Sequence, residues 1–417
     1  MTALSVERLF KEQVKPVLGC TEPSSVALAV SIAFNTLKEK ADVVPQDIKK
    51  IVLTLDKYVF RNALSVGIPR TGGSYGIKTA VSVGVFCKPE LRLKLFSSFD
   101  KKNIPAARQL TKKIKIKVLP LEDIYIKAEI TAGDNTASAV VEKTHTGISL
   151  IKFNRQIVFK NMVLKKNTFS REMKTIASES LEKIVEIAKK INPLEKSTIK
   201  DLAAMNWHAA EYGMRKKCGL SVGQILKKVT GRQTVIDYAQ MMTAAACDAR
   251  MSGEDVEIMS VCGSGNQGIM CSVPLVAVAK KLNIPQKKVI EAVAISVLIE
   301  CKLTYLQGYL TSMCGAVTKA GFAATAGITY LLGGPAEKME NAMKIFAGDI
   351  TGIICDGAKP SCALKLATAS SSAVKSALFS LNGMTISGEQ GIVKNKLAAT
   401  LKNIASIKMN IIKPQNG

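Results

Sequence analysis

Cys314, Cys355 and Cys362 are the side chains of this 417-residue sequence with the clearest capacity for metal chemistry. Cys355 and Cys362 close the segment CDGAKPSC, and Cys314 stands within SMCG. Small and turn-forming neighbours let the backbone pack close around whatever the sulfurs hold. Iron–sulfur clusters are held by cysteine thiolates, usually four of them. Three thiolates can bind three irons of a [4Fe–4S] cluster and leave the fourth iron open, as a Lewis acid that grips and polarises a substrate. That arrangement predicts an enzyme rather than an electron carrier.

Other segments offer partners for such a centre. In LGCTEP, residues 18–23, Thr21 is expected to cap a helix starting at Glu22 and Pro23. A thiol just before a helix start should become more acidic, which suits Cys20 to act as a general base or a ligand. The plainer alternative is that Cys20 packs as a small apolar residue. The segment CGSGNQG, residues 262–268, matches GxGxxG. A dinucleotide site would need a strand before it, a helix after it and an acid about 20 residues on. Glu291, the acid available, falls within a predicted helix. Gly263, Ser264, Gly265 and Asn266 are therefore expected to cradle an anion such as a carboxylate. Asn62 and Arg70, on a loop punctuated by Gly67, Pro69 and Gly72, could orient the same carboxylate, or lie on an ordinary solvated loop. His145 follows a predicted strand and could contact substrate, whereas His208 reads as structural. Cys87, Cys218, Cys247, Cys262, Cys271 and Cys301 read as core residues.

Composition narrows the class. Hydrophobic residues make up 47% and charged residues 22%, as in folded globular proteins. Ten cysteines in so long a chain, without a CxxC pair, point to reduced thiols or metal ligands rather than disulfides or structural zinc. The net charge of +25 raises nucleic-acid binding as a competing class. The lysines are scattered, however, and aromatic residues do not alternate with them. A lysine-rich surface that attracts anions is the simpler expectation, with no specific nucleic-acid partner. The opening residues show no basic stretch followed by an apolar one, and apolar runs break before membrane-spanning length. The expectation is a soluble cytoplasmic protein with no membrane partner; a homo-oligomer is left open.

The elements that must position these residues fall into two lobes. Residues 1–40 read as helical. Residues 49–165 alternate with period two at 50–56, 113–118, 124–130, 137–141 and 148–153. From Glu172 onward the pattern is helical, over 172–191, 198–217, 234–251, 287–302, 316–332 and 362–381. The fold class is α+β: an N-terminal helix and antiparallel-sheet lobe over 1–165, packed with a large, mostly helical, cluster-binding lobe over 166–417. The polar stretch around Lys160–Arg171 is the expected boundary.

Together, GCTEP at 19–23, VGIP at 66–69, CGSGNQG at 262–268, Cys314-Gly315 and CDGAKPSC at 355–362 resemble the L-cysteine desulfidase family, which is related to the iron–sulfur L-serine dehydratases (alpha chain). The resemblance runs in order along nearly the whole chain. It implies a [4Fe–4S] cluster on Cys314, Cys355 and Cys362, with Cys20 as the base that removes the substrate α-proton. It implies conversion of L-cysteine and water to pyruvate, ammonia and hydrogen sulfide, without pyridoxal phosphate. Related dehydratases act on L-serine, so the shared machinery leaves the leaving group open. A nicotinamide oxidoreductase, resting only on GxGxxG, and a basic nucleic-acid-binding protein are the competing classes.

Overall fold

The computed structural model describes residues 4–161, 169–231, 233–388 and 390–407. The fold is α+β. Six strands form one sheet: β2 (Ile48–Asp56), β3 (Ile114–Leu119), β4 (Tyr125–Ala132), β5 (Asn135–Glu142), β6 (Ile148–Phe153) and β7 (Gln156–Lys160), in the order β3-β2-β4-β5-β6-β7. The expected antiparallel pairing holds for four of the five neighbours. The exception is β2 with β3, which run parallel, so the sheet is mixed. A parallel pair needs a long crossover, and residues 57–113 supply it.

Along β4 buried and half-buried residues alternate, so Ile126, Ala128, Ile130 and Ala132 share one face. The helix Thr21–Ala41 lies across that face. Its middle is Val, Ala, Ile and Phe with almost no polar interruption, so it is buried nearly all round. A second, larger core is built from helices after residue 170, with Val235–Met251, Gly265–Leu282, Ala320–Leu331 and Cys362–Leu381 packed closely on one another. Their alanine, glycine, serine and cysteine content permits that approach.

Two expectations change at the N-terminus. Residues 1–40 are not one helical stretch: β1 (Val14–Leu18) separates the helix Val6–Gln13 from Thr21–Ala41. Pro16 would cost a helix there about 3 kcal/mol in a lost hydrogen bond and a clash, and β1 finds an antiparallel partner in β8 (Glu257–Val261), from Val14 opposite Val261 to Leu18 opposite Glu257. The helix cap also moves by one residue, to Cys20. In the helical region two predicted helices are each divided: 172–191 around Glu179 and Ser180, and 316–332 at Lys319. Residues 162–168 of the expected boundary stretch lie outside the described residues.

Cys20 packs into the helical core, while Leu18 and Val26 belong to the core around the sheet. The strand-to-helix turn at Gly19 and Cys20 therefore passes from one core to the other.

Candidate active site

The turn at Cys20 depends on Gly19, whose φ of +76° favours glycine. Pro69 fills the space beside it: a Cβ on Gly19 would lie 2.7 Å from Pro69 Cγ. Two of the segments singled out in the sequence, GCTEP and VGIP, thus meet directly. On the far side of the VGIP loop, Gly67 N–H donates to the Met251 carbonyl at 3.0 Å, which ties the loop to the end of the helix Val235–Met251.

The Cys20 thiol donates to Glu22 Oε2 at 3.1 Å, and the Thr21 hydroxyl donates to the same oxygen at 2.8 Å. Asn62 Nδ2 donates to Glu22 Oε1 at 2.8 Å, and His145 Nε2 lies 4.0 Å from that oxygen. Burial opposes ionisation of Glu22, but His145 and the hydrogen bonds from Cys20, Asn62 and Thr21 outweigh it and hold the carboxyl below its ordinary value. Cys20 departs from expectation. Burial first, and the adjacent Glu22 charge next, push its thiol far above the ordinary value, although Arg250 pulls the other way. The helix terminus does not make Cys20 acidic, so Cys20 rests as a thiol whose proton points at a carboxylate.

His145 sits on the turn between β5 and β6, where its carbonyl accepts from the buried Ser25 hydroxyl at 2.7 Å. Burial pushes its imidazole below the ordinary value, and Nε2 is left without a hydrogen-bond partner. Gly263 makes room for the ring: a Cβ there would lie 2.9 Å from His145 Nδ1, and the residue holds φ at +75°. Ser264 caps the helix Gly265–Leu282 by accepting from Gln267 N–H. A strand precedes this loop and a helix follows it, but among the described residues the only partner of β8 is the antiparallel β1. The parallel βαβ unit of a dinucleotide site is not formed, and the nicotinamide reading loses its basis.

The three C-terminal thiols converge. A bridge between Met313 and Ile354 sets two segments side by side; Cys314 N–H donates to the Ile353 carbonyl at 2.7 Å and Cys355 N–H to the Ser312 carbonyl at 2.9 Å. Cys362 opens the helix Cys362–Leu381, its thiol turned back towards the Gly357 carbonyl at 3.6 Å. Asp356 binds both Lys359 and Lys365 and so staples the intervening loop. The thiols feel one another's charge. Burial and the neighbouring Cys355 and Cys362 push Cys314 up to about 12, and burial with Cys355 raises Cys362. Among the described residues no three His, Cys, Asp or Glu side chains close on a single metal ion.

Asn62 connects the two halves. Its amide donates to Glu22, and its Oδ1 faces the Cys355 thiol at 4.0 Å. Cys20, Asn62, His145, Gly263, Asn266 and the thiol triad therefore border one region. Arg70 is engaged elsewhere, paired with Asp255 at 3.1 Å and donating to the Ser97 carbonyl. His208 is exposed on the helix Pro193–Arg215. Three residues at the site lack a role in the sequence reading. Glu22 lay inside a recognised segment but read only as part of a helix start. Arg250 resembles an ordinary basic residue in a last helical turn. Cys247 stands in an alanine run that reads as core, yet burial first and then Cys362 raise its thiol, which also feels Arg250 and Cys314.

The profile of the serine dehydratase alpha chain family matches residues 126–414. Among curated relatives, a UPF0597 protein of Desulfatibacillum aliphaticivorans is 33% identical over 420 residues, covering 97% of this chain and 94% of its own. UPF0597 proteins of Porphyromonas gingivalis (32% identical; 96% and 93% covered) and Clostridium perfringens (33%; 97% and 94%) are similar over the same extent. Among the described residues no helix is long and apolar enough to cross a membrane. The family match over more than half of the chain leads to one assignment: this chain belongs to the serine dehydratase alpha-chain family, and it is similar to UPF0597 proteins along nearly its whole length.

Proposed function

We propose that this protein is an iron–sulfur-dependent lyase that eliminates the β-substituent of a small amino acid. L-cysteine is the favoured substrate, giving pyruvate, ammonia and hydrogen sulfide; L-serine is the alternative. Family membership supports lyase chemistry of the dehydratase type. The observation that carries the reading is Asn62, which touches the Cys20–Glu22 pair with one end and faces Cys355 with the other. These two contacts support placing proton handling and the thiol triad in one site.

Cys314, Cys355 and Cys362 fit a [4Fe–4S] cluster in donor chemistry: three thiols, two of them in one short segment, close enough to feel one another's charge. Bound there, the cluster would supply an iron free of protein ligands, a Lewis acid for the departing β-substituent. Burial opposes ionisation of Cys314 and Cys362, and cluster ligation needs thiolates, so binding of the cluster is favoured by rising pH.

The protein's own residues handle the α-proton. Cys20 gives its proton to Glu22 across the 3.1 Å contact only as the developing thiolate takes the proton from the substrate α-carbon, because the resting directions of the two groups oppose the transfer by itself. Arg250 lowers the cost of that thiolate. The β-substituent leaves with the electron pair of its bond to carbon. The resulting aminoacrylate tautomerises and is hydrolysed by water to pyruvate and ammonia. His145 and the Gly263–Asn266 loop line the region in which the substrate must lie.

The deciding experiment is anaerobic turnover of L-cysteine against L-serine, with pyruvate and sulfide measured alongside protein-bound iron and acid-labile sulfide. Pyruvate with equimolar sulfide from cysteine supports desulfidation; turnover of serine alone moves the assignment to dehydration. Absence of both products from protein that carries iron and sulfide refutes the reading. Cys20→Ala should keep the brown absorption and lose turnover, while Cys355→Ala should lose the absorption itself.

A further inference from the structure

Arg250 is 3% exposed, at the end of the helix Val235–Met251, in the midst of the site. Its charge is felt by Cys20, His145, Cys247 and Cys362, residues from four separate segments. Among the described residues no carboxylate forms an ion pair with it. Nη1 donates to Asn266 Oδ1 at 2.8 Å, but Nε has no hydrogen-bond partner. A buried charge without a counter-charge is costly. Glu22, the carboxylate of the site, is already occupied by Cys20, Thr21 and Asn62, and Asp248, two residues before Arg250, is bound to Gly223 N–H.

The surroundings are built to hold this guanidinium. A Cβ on Gly265 would lie 2.3 Å from Arg250 Nε and 2.6 Å from Cζ, so only glycine lets the group lie against the start of the helix Gly265–Leu282. Asn266, the next residue, fixes the opposite edge. The guanidinium edge that carries Nε is one a carboxylate grips with two parallel hydrogen bonds. Thiolates of the triad would also welcome a cation, but Lys365 already serves Cys314 and Cys362.

We infer that Arg250 is the receptor for the α-carboxylate of the substrate, held in place by Asn266 and the gap at Gly265. This inference rests on the amino-acid lyase reading and sharpens it: the site selects amino acids with a free carboxylate and rejects the corresponding amines. It moves the recognition of carboxylate from Arg70, which is committed to Asp255, to a residue that reads in the sequence as a helix terminus.

The test compares L-alanine with ethylamine, the same molecule without its carboxylate, neither carrying a leaving group. Equilibrium binding to the anaerobically purified protein is measured by calorimetry. The wild type should prefer L-alanine by on the order of a hundredfold, as expected when one partner of a desolvated charge pair is removed. Arg250→Gln should bring the two ligands to within about threefold, by weakening L-alanine alone. Arg250→Lys keeps a charge without the fork and should fall between them, which covers the case in which the glutamine variant fails to fold. A wild type that binds both ligands equally, or binds no L-alanine, overturns the assignment, as does a folded variant that retains the full preference. The outcome is independent of turnover. An Arg250-dependent preference in a protein without lyase activity would sink the proposed function and leave this site standing; intact turnover with an unchanged preference in Arg250→Gln would do the reverse.

Discussion

Two buried glutamates mark two different regions of this molecule. Glu22, at the junction of the cores, receives hydrogen bonds from Cys20, Thr21 and Asn62 and has His145 close by. Its carboxyl is held below the ordinary value despite burial. Glu300, inside the helix Gln286–Gln307, receives one hydrogen bond, from Thr304 at 3.1 Å, and its other oxygen has none. Burial pushes its carboxyl well above the ordinary value, with Lys319 opposing. Removal from water penalises both; the donors around them decide which stays charged. The site keeps an ionised carboxylate beside a thiol, and the helical core holds a neutral acid.

The strongest way to break this comparison is Glu22→Gln. The substitution keeps size and removes the proton acceptor. We expect kcat to fall about a thousandfold, within the range lost with a general acid–base group, while the visible absorption of the bound cluster stays. A kcat within tenfold of wild type would separate Glu22 from the chemistry. The pH dependence carries the same sign argument. A carboxyl held below its unfolded value adds stability above that value and loses it as pH falls through the folded one. Acid denaturation should therefore be steeper in the wild type than in Glu22→Gln.

Asp248 offers an intermediate case. Its Oδ2 accepts from Gly223 N–H at 3.1 Å, its Oδ1 has no partner, and burial raises it to about 6. In the folded protein it holds its proton at pH values where the unfolded chain has lost it. Stability from this group is thus full at the most acid end and falls as pH rises through the folded value. At about 1.4 kcal/mol per pH unit of displacement, the drop is about 3 kcal/mol between roughly pH 4 and 6. Asp248→Asn should remove most of it, read as a flatter plot of unfolding free energy against pH. An unchanged slope would show that other groups set it.

How much of this was legible in the sequence differs between the regions too. Periodicity found the strands β2 to β6 and the helix Cys362–Leu381, because each carries its own pattern. It missed β1, whose partner β8 lies more than two hundred residues away, and β7, whose five residues are all exposed and show no alternation. The thiol segments stood out because glycine and serine crowd around them. Glu22 and Arg250 did not, since a charged residue near a helix end is ordinary on a surface. Only burial makes either unusual, and burial depends on contacts between distant segments. The acidity of Cys20 failed for a related reason: the helix terminus was visible in sequence, but neither the desolvation nor the aim of the Glu22 carboxylate was.

The smallest expected effect is also the sharpest control. Glu300→Gln exchanges one neutral, hydrogen-bonding group for another of nearly the same shape. Glu300 is held as the neutral acid by burial, so the change should cost no more than about 1 kcal/mol, the net worth of one altered hydrogen bond. Lys319 should be little disturbed, because its ammonium group donates to the Gly308 and Tyr309 carbonyls at 2.9 and 3.2 Å rather than to Glu300. Denaturant unfolding of both proteins at pH 5 and pH 8 measures the difference directly. A loss near 3 kcal/mol or more, growing with pH, would mean that Glu300 is ionised and supported by the Lys319 charge at longer range. The contrast with Glu22 would then rest on a neighbouring cation rather than on the number of donors, and a large loss from Glu22→Gln would no longer identify hydrogen bonding as its cause.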